Sequence, residues 1–229
     1  DMLSEIYLED VPPAVRSGRL DERVVDEAVR RVLRAKVRLG LFDDPFRYTD
    51  PSRMETDVLT AEHRAFAREI GRESVVLLKN DGVLPLAKDL GTIAVIGVLA
   101  DSARETLGNW AAAGRAEDGV TVLDGIRRAV PEADVVYEPG VGRLPGTTGF
   151  QGAFADTSGL AAAVAAAEGA DAVVLVLGER QDMSAEANNR TSLDLPGAQL
   201  ELAKRIHATG TPTVVVLMNG RPLSIPWLA

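Results

Sequence analysis

The chain has 229 residues, 26% charged and 46% hydrophobic, with a formal net charge of −9. That length and balance describe a folded globular chain able to bury a sizeable core, not a disordered one. The acidity denies it the clustered cationic footprint that nucleic acid requires, and a sequence without cysteine excludes disulfides, thiolate zinc sites and cysteine nucleophiles.

Residues 22–39 have Val25, Val29, Val32 and Leu33 at helical spacing, with Asp21 as N-cap and Gly40 closing the helix at a left-handed position. FDDPFRYTDPSRME then brings prolines, aspartates and no apolar period, which predicts a linker over 47–60 and a domain boundary there. Residues 61–73 read as a helix, SVVLLKN as a short buried strand, and Asp81-Gly82 as a turn. From Thr92 the pattern is strand, loop, helix, repeated. The strands are TIAVIGV, DVVYEPG, DAVVLVLG and TVVVLM; the helices are 122–130, the Ala-rich GLAAAVAAAEGA and 196–207. Apolar strands alternating with helices imply a mainly parallel sheet covered on both faces, an α/β fold.

No apolar run reaches membrane-spanning length, and the opening DMLSEIYLED has neither the basic nor the apolar region of a signal peptide. The chain begins without Met, and NGRPLSIPWLA ends it just after a strand with no covering helix. A chain truncated at both ends is expected.

In an open parallel sheet, ligands bind beyond the carboxyl ends of the strands. Three loops qualify: GVLADSARETLGNWAAAG, EPGVGRLPGTTGFQG and ERQDMSAEANNRTSLDLPG. None has G-x-G-x-x-G or G-x-x-x-x-G-K-[ST] spacing, which argues against a nucleotide site. His63 and His207 lie apart on polar helix positions and read as solvated side chains. No metal-ligand spacing is present, and Ser74 and Ser102 sit in no G-x-S-x-G elbow. Trp110, in a strand-following loop among Gly and Ala, is either a cap over the sheet edge or an aromatic platform for a ring face. Trp227 reads as core. The third loop is far longer and more polar than an α/β connection needs, so it is functional or disordered. In it, Glu179 stands at the strand end and Glu186 deep in the loop. Loop carboxylates are commonly solvated or turn-forming; the alternative is a general acid held where its proton affinity can be tuned.

Several ordered segments carry a resemblance: DEAVRRVLRAKVRLGLFDDPF, AREIGRESVVLLKNDGVLPL, TIAVIGVLADSARETLGNWAAAG, VVLVLGERQDMSAEANNRTSLDLPGAQ and PTVVVLMNGRPLSIPWL. Together they resemble the family 3 glycoside hydrolases, particularly bacterial periplasmic β-glucosidases. The resemblance implies a TIM-like barrel bearing an aspartate nucleophile, followed by an αβα sandwich that supplies the general acid/base on a loop. It assigns 1–46 to the end of the barrel and 61–229 to an incomplete sandwich. The family's Ser-Asp-Trp nucleophile motif is absent from these residues. EANNR stands where many members have Glu-Gly-Tyr-Asp-Arg, so the resemblance implies Glu186 as acid/base and gives Arg190 and Trp110 to substrate contacts.

The reading is a retaining exo-β-glycosidase, β-glucosidase first and β-xylosidase second. It acts on a β-linked oligosaccharide or glycoside, without cofactor or metal, and needs a barrel domain of the same polypeptide. The chain alone is expected to be inactive. A non-catalytic αβα module that binds carbohydrate or protein is the rival of a different class, and a doubly wound nucleotide-binding protein a further one. The residues leave localisation and oligomeric state open; the resemblance implies a periplasmic or secreted home.

Overall fold

The computed structural model describes residues 5–148 and 152–229, which form two compact units dividing between Val76 and Leu77. The first is helical: α1 (Ile6–Arg16), α2 (Glu22–Arg38), the single turn α3 (Arg53–Thr56) and α4 (Ala61–Ser74). Helix α2 starts where its N-terminal N–H groups find a partner, Arg23 N donating to the Asp21 carboxylate at 2.9 Å. The Arg23 side chain and backbone both bond that carboxylate and hold it below the usual carboxylate range. At the other end Gly40 takes φ 69°, and Leu41 N donates back to Lys36 O at 3.0 Å, the hydrogen bond of a left-handed helix cap. The expected linker 47–60 consists of turns around α3, and α4, expected to open the sandwich, belongs to this first unit.

The second unit is built on a four-stranded parallel sheet of β1 (Thr92–Ile96), β2 (Asp134–Glu138), β3 (Ala172–Gly178) and β4 (Thr213–Met218), in the order β2-β1-β3-β4. The connecting helices are α5 (Ala103–Leu107) and α6 (Val122–Ala129) after β1, α7 (Leu160–Glu168) after β2 and α8 (Gln199–Ala208) after β3. The central strands are almost wholly apolar and buried, from Ile93 to Ile96 and from Ala172 to Gly178, whereas the edges are half-buried. Right-handed crossovers that step one way from β1 to β2 and the other way afterwards put α6 on one face and α7 with α8 on the opposite one. The Ala-rich α7 lays Leu160, Ala163 and Ala167 on the sheet, with both alanines fully buried, so a small side chain sets the close helix–sheet distance.

Two sequence expectations give way. SVVLLKN is not a strand: Val75, Val76, Leu77 and Leu78 are 65–78% exposed and pair with no strand. An apolar run becomes a strand only where it reaches a sheet edge, and this segment pairs with neither edge strand, β2 or β4. Trp227 is not core either. It is 42% exposed, lies edge-on to the His207 ring at 5.4 Å and under the Lys204 ammonium at 5.8 Å, and so packs on the outside of α8.

The strand order places the reversal of winding between β1 and β3, where open α/β sheets form their ligand crevice. The loops after these two strands therefore meet, and glycines permit it. Gly97 (φ 119°) follows β1 and Gly178 (φ 137°) ends β3; a Cβ on either would overlap the backbone carbonyl of Val176 or Met218 in the adjacent strand.

Candidate functional site

The segment 179–198 leaves the end of β3 and returns at α8, and its two ends are clamped together. Gln199 is 1% exposed. Its Oε1 accepts from Gly178 N at 2.8 Å, while Nε2 donates to Gly178 O at 2.8 Å and Pro196 O at 3.0 Å. One amide thus satisfies the backbone groups that the sheet leaves open at the point where the loop departs.

Glu179 follows directly. Its side chain is 1% exposed and its Oε1 meets two guanidiniums, Arg190 Nη1 at 2.5 Å and Arg221 Nε at 3.2 Å. Arg190 comes from the far side of the same loop, where its Nη2 also donates to Asp194 O at 2.7 Å. Arg221 comes from the segment after β4 and donates through Nη2 to Met183 O and, at 3.3 Å, to Asn188 O. Register explains the meeting: Gly178 pairs with Met218, so the residues beyond both strand ends emerge side by side.

The next turn is tied to the loop after β1. Gln181 N donates to Glu105 Oε2 at 2.5 Å, and Arg180 Nη1 lies 3.6 Å from the other oxygen of that buried carboxylate. The return limb is held by Ser192 and Asp194, which bond each other, and by Ser224 N donating to Leu193 O at 2.8 Å. Ala198 N donates to Phe154 O at 2.8 Å as the chain enters α8.

Between these ties Glu186 sits exposed at the tip of a tight turn. Asn188 N donates to Ala185 O at 3.1 Å and Asn188 Nδ2 to Ser184 O at 3.2 Å. The residues on either side, Ala185 at φ 90° and Ala187 at φ 63°, both occupy the left-handed region. Such residues cost of order 1–3 kcal/mol each and persist where the surroundings over-determine them. The two loop carboxylates are therefore divided in role: Glu179 is consumed by buried ion pairs, and Glu186 is presented outward.

Of the residues singled out from sequence, Glu186 and Arg190 share this loop, and Arg190 is turned inward onto Glu179 as a strut. Trp110 is 72% exposed in the loop after β1, which the Glu105–Gln181 contact joins to the segment 179–198. Sequence reasoning missed Gln199, Glu105 and Arg221. Arg221 had a signal, a lone cation just past a strand end in NGRPLS, but only the strand register reveals its partner. Among the described residues no group of three His, Asp or Glu is arranged to hold a metal, and no helix is long and apolar enough to cross a membrane.

Comparison with known proteins places this geometry in a family. Residues 75–229 match the model of the glycosyl hydrolase family 3 C-terminal domain. A periplasmic β-glucosidase of Salmonella typhimurium is 42% identical over 98% of this chain and 31% of its own length. A β-xylosidase of Formosa agariphila is 39% identical over 90% of this chain and 28% of its own. The crystal structure of a β-glucosidase from Listeria innocua in complex with glucose superposes with a TM-score of 0.81 at 37% identity, covering 99% of this chain and 29% of that one. The chain thus spans under a third of the length of these relatives. With its parallel α/β sheet and five ordered segments in place, the chain belongs to glycoside hydrolase family 3 and carries that family's C-terminal domain.

Proposed function

We propose that this chain supplies the general acid/base of a retaining exo-β-glycosidase, with Glu186 as the acid/base and an aspartate on a barrel domain as the nucleophile. The observation that carries the reading is the division of the loop carboxylates: Glu179 buried between Arg190 and Arg221, Glu186 exposed on a turn whose flanks are pinned. A retaining enzyme needs its carboxyls roughly 5–5.5 Å apart across the scissile bond. A carboxyl that must meet a second domain has to stand clear of its own sheet, and a long, internally tied loop does this.

In the first step the Glu186 carboxyl donates its proton to the glycosidic oxygen while the nucleophile attacks the anomeric carbon and the C–O bond breaks. In the second, the resulting carboxylate removes a proton from water, which attacks the same carbon and releases the sugar. Trp110 offers its exposed ring to the leaving part of the substrate. Arg190, turned inward, acts on the loop. The names of the relatives support a β-glucoside as substrate, with the β-xylosidase keeping a xyloside as the second reading. They also support a periplasmic or secreted setting.

The test is Glu186→Ala in the polypeptide that joins this chain to a barrel. Hydrolysis of aryl β-glucosides with poor leaving groups should fall by on the order of 10²–10⁴, and that of activated ones far less in kcat/KM. Glu201→Ala, which removes an exposed carboxylate of α8 paired only with Arg205, serves as control and should show no such dependence. Unchanged rates on poor leaving groups for Glu186→Ala would overturn the assignment.

A further inference from the structure

Arg221 makes two kinds of contact, and their geometry differs. Towards Glu179 it is an ion pair without hydrogen-bond alignment: Arg221 Nε and Glu179 Oε2 are both buried and find no hydrogen-bond partner. Towards the loop it is aligned, Nη2 donating to the carbonyls of Met183 and Asn188. These two carbonyls lie on either side of Glu186. The guanidinium has therefore settled to suit the loop and leaves its counter-ion imperfectly bonded. The same segment touches the turn once more, since a Cβ on Gly220 would overlap the side chain of Ser184. The turn it grips contains the two left-handed alanines, a backbone that needs an outside hold.

We propose that Arg221 is a positioning residue that sets the reach of Glu186 by pinning both shoulders of its turn from the segment after β4, with Glu179 as its counter-charge. The proposal rests on Glu186 being the acid/base. Glu179 receives a second cation from Arg190, so buried charge compensation survives the loss of Arg221 while the grip on the carbonyls does not. A displaced turn moves the acid away from the glycosidic oxygen, so the damage falls on the proton transfer. A structural role alone would lower stability and leave the dependence on leaving group unchanged.

The experiment measures kcat/KM over a series of aryl β-glucosides of graded leaving-group ability, in the barrel-containing polypeptide, for Arg221→Ala, Arg221→Lys and Glu186→Ala. For Arg221→Ala the expected loss is on the order of 10²-fold on poor leaving groups and below about fivefold on activated ones, the scale of a catalytic group misplaced by about 1 Å. Arg221→Lys keeps a charge, but a single ammonium cannot stand beside Glu179 and reach the two carbonyls at once, as Nε and Nη2 of the guanidinium do; it should fold and show the same selectivity, less steeply. If the alanine variant does not fold, the lysine variant decides. A loss equal across leaving groups, or none, overturns the proposal provided that Glu186→Ala is itself steep. A flat Glu186→Ala series would instead remove the acid/base reading and this proposal with it.

Discussion

Gln199 is the side chain on which departure of the loop from the sheet depends, and its replacement can be worked through from the structure. Gln199→Leu keeps the volume and removes three hydrogen bonds, leaving Gly178 N, Gly178 O and Pro196 O without that partner in a site 1% exposed. Each orphaned buried group costs roughly 1–3 kcal/mol, so with partial relaxation the sum is about 4 kcal/mol. For a domain of this size each kcal/mol shifts Tm by about 2–4 °C, giving a fall of roughly 8–16 °C. Gln199→Glu separates hydrogen bonding from packing. Its ionised carboxylate would set an oxygen against two carbonyls, whereas the protonated acid can still donate to one. The folded state therefore raises the pKa of the introduced carboxyl above its unfolded value near ~4.3. A raised folded value means that the contribution is fully present below the unfolded pKa and is lost as pH rises through the folded one. Thermal unfolding followed by far-UV circular dichroism, each variant compared with the parent at the same pH, reads this directly. Gln199→Glu should lie below the parent at pH 4 by about the cost of one orphaned carbonyl, roughly 1–3 kcal/mol, and further below it at pH 8. A Gln199→Leu variant within about 1 kcal/mol of the parent, or a Gln199→Glu deficit independent of pH, would refute the reasoning.

Two further outcomes follow from the site. The purified 229-residue chain should not hydrolyse an aryl β-glucoside, as read by release of the aryl alcohol; turnover would mean that the chemistry uses only residues of this chain. In the barrel-containing polypeptide, Trp110→Ala should weaken substrates with a bulky leaving part by about 1 kcal/mol relative to those with a small one; comparison of kcat/KM across the two classes checks it, and equal losses would return Trp110 to a structural role.

Much of the fold was legible because its signals are local. Asp21 and Gly40 announce the ends of α2 through their own side-chain and backbone preferences. The buried runs of β1 and β3, separated by helical patterns, leave little choice but a parallel sheet. The failures share one cause. Whether Val75–Leu78 forms a strand depends on a vacant sheet edge, and whether Trp227 is buried depends on what lies over α8; neither is written in the segment itself. The site divides in the same way. The length and polarity of 179–198 mark it as functional or disordered, and the resemblance singles out Glu186. The supports were invisible, because Gln199 matters through Gly178, Glu105 through Gln181, and Arg221 through carbonyls 33 and 38 residues away. Arg190, which the resemblance gives to substrate, makes a contact with Glu179 that its sequence position did not reveal.

The central claim, that Glu186 is the acid/base and not the nucleophile, is tested most directly by the product that Glu186→Ala forms with azide. The substrate is an aryl β-glucoside with a good leaving group, which reaches the glycosyl-enzyme without acid assistance; azide then attacks that intermediate through the space the side chain has left. Retention requires two inversions, so loss of the acid/base yields β-glucosyl azide, identifiable from the anomeric proton coupling by NMR. The expected result is a rate that rises with azide and a β-configured product. An α-glucosyl azide would make Glu186 the nucleophile, and no azide product at all would remove it from the reaction.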